Sequence, residues 1–141
     1  MIGASYYEDL LDSLYTSLEA LTATDYAWQD SDGWHRGYYE MLESDTIEHL
    51  QAGIALGGVT DWGRSQVTQE GGLVFLAHLD GSQDSLAQAR IQAAMEAAME
   101  MLTVWRHPSG ARTSPTGSTV EALSPEWARV VVTFSITYPR G

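Results

Sequence analysis

The side chains that most often carry chemistry are few in this chain and widely spaced. No two of the four histidines stand at the i, i+4 spacing with which one helix presents two ligands to a metal ion. The four are His35, His49, His78 and His107. His49 and His78 fall on predicted neighbouring strands, where a histidine packed in the sheet is commoner than a metal ligand. We therefore expect no metal site.

Nucleophilic and phosphate-binding motifs are also missing from the sequence. It has no cysteine and no G-x-S-x-G nucleophile elbow, and the run G-I-A-L-G-G at 53–58 lacks the lysine and the following Ser or Thr of a Walker motif. Asp61 and Asp80 lie at predicted strand ends, but neither has an evident partner base or nucleophile. The sequence predicts a protein that is not an enzyme, with no catalytic residues and no cofactor.

The chain is strongly acidic. Its 141 residues contain 19 carboxylates against seven arginines, with no lysine, which gives a net charge of −12. Basic side chains supply most of the affinity for a phosphate backbone, so we expect no specific nucleic-acid binding. No apolar run approaches the roughly 20 residues of a membrane span, and the first residues lack the basic and apolar regions of a signal peptide. We expect one domain over 1–141, with no membrane partner.

These sparse groups must be positioned by a fold whose clearest signal is residues 128–138, A-R-V-V-V-T-F-S-I-T-Y. Strict alternation of β-branched and aromatic residues predicts a strand, and a strand this apolar is expected inside a sheet. Residues 46–62 and 67–79 are further predicted strands, and the second is expected to be central. In the first, for which a bend is an open alternative, Gly53, Gly57 and Gly58 indicate either a bulge or a place where another backbone comes close. Residues 26–42 are ambiguous, with Asp32-Gly33 as a possible hairpin turn.

Two segments have the apolar stripe of an amphipathic helix, residues 5–21 and residues 84–105. Residues 106–126 are rich in Pro, Gly, Ser and Thr and are expected to form a long flexible loop, with at most one short strand near Val120. The order of elements predicts an α+β fold in which two helices pack on a mostly antiparallel sheet of about four to five strands. Leu14 and Leu102 should cover the apolar face of the last strand.

Interaction residues are expected in or beside the predicted turns and at the start of the long loop. Core packing explains each tryptophan equally well, whereas Arg106 and Arg112 could pair with a neighbour's acidic surface. The candidates for subunit or tube contacts are Trp28, Trp34, Trp62, Arg64, Arg106 and Arg112.

The order of elements resembles that of the tail terminator family of long-tailed phages, to which the lambda-type minor tail protein belongs. A leucine-striped helix opens the chain, and the second central strand runs into an Asp/Ser-rich helix start at 80–85. The chain closes on an alternating strand that ends in I-T-Y, here Ile136, Thr137 and Tyr138. The resemblance covers nearly the whole chain in pattern, with low identity. The aromatic stretch at 26–39 and the segment 106–126 are longer than the family's pattern.

The resemblance implies a structural virion protein that forms a ring, in that family a hexamer, at the head-proximal end of the tail. Its partners would be further copies of the chain, the tail tube protein and the head–tail connector protein, with assembly in the host cytoplasm. The ring would stop elongation of the tube, and DNA would pass through it unbound. A head–tail joining or tail-completion protein is an alternative. A non-viral protein-binding module that uses exposed aromatics around Trp34 is another.

Overall fold

The computed structural model describes residues 3–19, 34–36, 52–78, 85–122 and 127–140. Within these residues the helices are α1 (Ala4–Glu19) and α2 (Ser85–Val104). The strands are β1 (Trp34–Arg36), β2 (Ala52–Trp62), β3 (Gln66–His78), β4 (Arg112–Ala122) and β5 (Trp127–Pro139). Both predicted helices and all three clearly patterned strands are thereby confirmed where the structure describes them.

The strands form a single sheet in the order β1-β2-β3-β5-β4. β2, β3, β5 and β4 are antiparallel, and the short β1 joins the edge of β2 in parallel. This confirms the predicted α+β fold with a mostly antiparallel sheet. The ambiguous stretch 26–42 contributes β1, and its other residues lie outside the described ranges.

The core lies between one face of this sheet and the two helices. Leu14 of α1 and Leu102 of α2 belong to the same buried cluster as Val130 and Phe134 of β5. Alternate residues of β5 are buried on this face, whereas Thr133 on the other face is exposed. The expectation that Leu14 and Leu102 cover the apolar face of the last strand is confirmed.

β3 and β5 occupy the centre of the sheet. They pair without a register shift from Gln66–Pro139 to His78–Trp127. Their apolar composition fits this position, since a central strand is covered by neighbours on both edges. The central placement predicted for both strands is confirmed.

β2 is bulged where the sequence has two consecutive glycines. Leu56 pairs with Gly71 and Val59 with Gln69, so β2 has one more residue than β3 over this interval. The Gln69 side chain donates from Nε2 to the Gly57 carbonyl oxygen at 2.7 Å, which satisfies a backbone group that leaves the ladder. The predicted bulge near Gly57 and Gly58 is confirmed.

The long flexible loop predicted for 106–126 is wrong for residues 112–122, which form the edge strand β4. β4 pairs with β5 from Arg112–Thr137 to Ala122–Ala128 and shifts register between Pro115 and Gly117. A proline is tolerated there because an edge strand needs hydrogen bonds on only one side. Composition alone suggested a loop, but β5 offered an edge on which this segment could pair.

Close packing at one glycine generates a prediction about stability. A Cβ built on Gly71 would overlap the ring of the buried Phe134 and lie 2.6 Å from its Cε2 atom. We expect Gly71→Ala to reduce the free energy of unfolding by about 1–3 kcal/mol, because the buried ring or the strand backbone must shift to make room for the methyl group.

Urea denaturation of this variant beside Gly58→Ala makes the measurement. A Cβ on Gly58 meets no atom within 4 Å, so the control should change stability little. Equal midpoints for the two variants would contradict the packing argument.

Candidate functional site

Three separate segments meet at one end of the sheet. Gln66 at the start of β3 pairs with Pro139, and Arg112 at the start of β4 pairs with Thr137. The Arg140 backbone N–H donates to the Ser65 carbonyl oxygen at 2.9 Å. We call the surface formed here the basic end, after its members Trp62, Arg64, Arg106, Arg112 and Arg140.

The basic end contrasts with the charge of the chain as a whole. It contains four of the seven arginines of a chain whose net charge is −12. Among the described residues, Asp9, which is bonded to His107, and Asp61, which is exposed and precedes Trp62 on β2, bring carboxylates to this region. A local excess of positive charge on an acidic protein attracts an acidic partner and repels a second copy of itself.

Trp62 and Arg140 form a preorganised pair on this surface. The Trp62 side chain is 61% exposed, and the Arg140 guanidinium lies 4.4 Å from the centroid of its ring. Arg140 also donates from Nη1 to the Gly63 carbonyl oxygen at 3.1 Å. Exposed Trp and Arg that are already held in place are typical anchors of protein interfaces.

Arg106 and Arg112 face each other across an isolated antiparallel bridge. Arg106 donates from Nη1 to the carbonyl oxygens of Thr103 and Trp105, at 3.2 and 2.7 Å, and so caps the end of α2. Arg112 is exposed and has no ion-pair partner among the described residues. Val104, the last residue of α2, is 71% exposed and adds an apolar side chain two residues before Arg106.

A tight turn brings Arg106 and Arg112 together. The Gly110 N–H donates to the His107 carbonyl oxygen, and the His107 N–H donates to the Ala111 carbonyl oxygen, both at 2.9 Å. Gly110 has φ of 100°, which an L side chain rarely adopts, and Pro108 stands where its fixed φ suits a turn. The sequence H-P-S-G was therefore the available signal for this turn.

His107 connects the turn to α1 through a chain of hydrogen bonds. Its Nε2 atom lies 2.7 Å from Asp9 Oδ2, and its Nδ1 atom lies 2.8 Å from Ser109 Oγ. The Ser109 N–H also donates to Nδ1, so Nδ1 is an acceptor and Nε2 carries the proton donated to Asp9. The Tyr6 hydroxyl, 2.8 Å from Ser109 Oγ, makes a second link to α1.

An Asp–His–Ser arrangement is also the logic of an activated nucleophile. Here the N–H groups of Ser109 and Gly110 already donate to His107. Neither is therefore free to stabilise the oxyanion of a tetrahedral intermediate formed on Ser109. The serine lies in an exposed turn. The geometry therefore describes a clamp between α1 and the basic end better than it describes a catalytic site.

Tyr6, Tyr7 and Tyr138 pack together beneath this clamp. The ring centroids of Tyr7 and Tyr138 are 5.7 Å apart in an edge-to-face arrangement, and the Tyr138 hydroxyl donates to Gln69 Oε1 at 3.0 Å. Burial raises the pKa of the Tyr138 hydroxyl above its ordinary value of 10.0, and the neighbouring Tyr7 and Tyr6 raise it further. The neutral phenol is thus the form that the fold accommodates.

The opposite face of the sheet has a broad open groove of about 640 Å³. Hydroxyl groups of Thr60, Thr116, Thr133 and Ser135 line it together with Glu70. Among the described residues its lining has one carboxylate and no imidazole or cationic side chain, so it offers no acid–base pair. No cluster of three metal-ligating side chains occurs in the described ranges, and no helix there is long and apolar enough to cross a membrane.

The structure brings together four of the six candidate contact residues: Trp62, Arg64, Arg106 and Arg112. Trp34 lies in β1, but its side chain is outside the described part of the chain, as are all of Trp28, His49 and Asp80. Arg140 is the member of the basic end that the sequence did not single out. Its position next to Ser65 depends on the register of β3 with β5, which no local motif specifies.

Comparison with models of known protein families and with curated protein sequences finds no match to this chain.

The raised pKa of Tyr138 generates a prediction for alkaline solution. Because the folded pKa exceeds the unfolded value of 10.0, unfolding releases a proton above that pH. The stability associated with neutral Tyr138 is complete below pH 10.0 and decreases as the pH rises above it. We expect Tyr138→Phe to be less stable than the wild type at neutral pH, by about 1 kcal/mol for the lost bond to Gln69.

The deficit should become smaller above pH 10.0, because the variant has no phenol to ionise at this position. Urea denaturation of both proteins across this pH range makes the comparison. A deficit that stays constant with pH would contradict a raised pKa at Tyr138.

Proposed function

We propose that this chain is a structural phage virion protein that forms a ring at the head-proximal end of the tail tube. In this role it stops elongation of the tube and provides the surface on which the head–tail connector docks. The resemblance of element order and final strand to the tail terminator family is the first support. The second is the charge distribution of the folded subunit, which favours association of a particular symmetry.

The observation that carries the proposal is the basic end on a chain of net charge −12. A two-fold dimer through this surface would oppose arginines with arginines. Head-to-tail association instead places the basic end of one subunit against an acidic surface of the next. Contacts of this heterologous kind close into a ring when a whole number of the rotations from one subunit to the next adds up to a full turn.

The acidity of the subunit also fits a ring around a DNA passage. A surface with few cationic side chains gives DNA little counterion-release affinity, so DNA moves past it without being held. The four arginines of the basic end would be neutralised by contacts between subunits. The remaining surface would then be more acidic than that of the free subunit.

Assembly and its symmetry are tested with purified protein and purified tail tubes. Native mass spectrometry and electron microscopy should reveal rings, either free or seated at one end of each tube. Tubes assembled with the protein present should have a fixed length. A chain that stays monomeric and never associates with tube ends would overturn the proposal.

A substitution that removes one positive charge from the basic end generates the third prediction. Arg112→Gln should weaken ring assembly and leave the melting temperature of the monomer nearly unchanged, because Arg112 is exposed and unpaired among the described residues. Assembly of the wild type should also weaken at about 1 M salt, where the screening length falls to roughly 3 Å.

Gln88→Glu is the matched control for this variant. It makes the same change in net charge at an exposed position near the start of α2, about 24 Å along the helix from the basic end. Native mass spectrometry at one protein concentration compares the two. Equal loss of assembly in both would attribute the effect to total charge and contradict a role for the basic end.

The exposed Trp62–Arg140 pair favours a second candidate, a protein-binding module with an acidic partner. The pair is already held in place in the isolated subunit. Side chains that are ordered before binding lose little conformational entropy when a partner protein binds, so the pair is suited to act as an anchor. A head–tail joining or tail-completion protein would use the same surface. Ring formation on tail tubes supports the terminator role, whereas binding of the monomer to another protein supports the module.

A further inference from the structure

The outer side of α2 carries a pair of carboxylates that no described side chain neutralises. Glu96 and Glu100 are exposed and stand four residues apart, so their side chains are neighbours on the helix surface. Gln92 donates a hydrogen bond to Glu96 from Nε2 at 3.1 Å, and neither carboxylate has an ion pair among the described residues. Like charges at this spacing repel each other in the free subunit.

The opposite side of α2 is fully committed to the core. Ala94, Ala98 and Leu102 are buried in the cluster that covers the sheet. The carboxylate pair therefore faces away from the sheet, and a neighbouring molecule can reach it. Alanine at the buried positions keeps α2 close to the sheet, while the acidic pair stays on the outside.

The basic end carries a second like-charged pair of similar dimensions. Arg106 and Arg112 are opposite partners of an antiparallel bridge, where Cα atoms are about 4.5–5.5 Å apart. Side chains at i and i+4 of a helix have Cβ atoms about 5–6 Å apart. Each pair is repulsive in its own subunit, and each matches the other in spacing and opposes it in charge.

We propose that the Arg106–Arg112 pair of one subunit docks on the Glu96–Glu100 pair of the next copy of this chain. The inference rests on the proposed ring and names the contact that builds it. Two different surfaces of one subunit are used, so the contact is heterologous and each copy both offers and receives it. Arg106 contributes a guanidinium already held by the carbonyl oxygens of Thr103 and Trp105.

Exchange of charge between the two surfaces tests the contact. Arg112→Glu and Glu100→Arg are each expected to lower the subunit association constant by at least about tenfold, the scale of one close ion pair between proteins. The chain with both substitutions is expected to lose less association free energy than the sum of the losses in the two single variants. Opposite charges again meet across its interface. Sedimentation velocity at low ionic strength measures all four proteins.

The matched control combines Arg112→Glu with Glu70→Arg. Glu70 is an exposed carboxylate on the open face of the sheet, so this chain has the same net charge as the exchanged variant. It should associate no better than Arg112→Glu alone. Thermal melting of every variant as a monomer excludes loss of folding as the cause.

Three outcomes would overturn the inference, and the third is distinguishable from the first two. If the wild type forms rings and the exchanged variant loses as much association free energy as the two single variants together, the proposed ring is supported and this contact is wrong. Rescue by Glu70→Arg equal to that by Glu100→Arg would likewise remove the specific contact. If the wild type is monomeric at every concentration and on tail tubes, both the contact and the ring are wrong.

Discussion

The unbroken pairing of β3 with β5 is the constraint on which the rest of the structure depends. The thirteen-residue strands align from Gln66–Pro139 to His78–Trp127, and every other strand is added outside them. A slip of one residue would turn the buried face of β5 toward solvent, since side chains alternate between the two faces. The same register delivers Arg140 to Ser65, so the basic end is a direct result of how the core is aligned.

Periodicity was sufficient to predict most of the fold. β5 alternates strictly and β3 is apolar on both faces, while each helix has one apolar stripe, so their patterns and the pairing in the structure agree. β4 was missed because its stability comes from its neighbour. Its sequence, R-T-S-P-T-G-S-T-V-E-A, has little intrinsic preference for a strand, and its pairing with β5 overrides composition. The sequence also carried the turn signal H-P-S-G, which fixes where that pairing begins.

Four of the five members of the basic end were predicted from the sequence, whereas Arg140 and the arrangement of the five were not. Trp62 and Arg64 were predicted from their position beside a probable turn, and Arg106 and Arg112 from their position at the start of the predicted long loop. In the structure both pairs lie beside turns. Their meeting at a single sheet end follows from the strand order, in which β5 separates the two turns by one strand. The register between strands that are distant in sequence is set by burial of the apolar face of the whole sheet. A short motif therefore does not specify it. The same reason explains why Arg140 was overlooked.

The basic end is discontinuous along the chain, and this has a kinetic consequence. Its parts come from 62–66, 106–112 and 138–140, and they meet only when β3, β4 and β5 have all paired. Contacts so distant in sequence form late, because the entropy of closing long loops must be overcome first. A subunit that has folded in part therefore has no completed surface to offer to a neighbour. If the chain forms the proposed ring, competence for assembly would report on the completeness of folding, and incompletely folded subunits would be kept out of that ring.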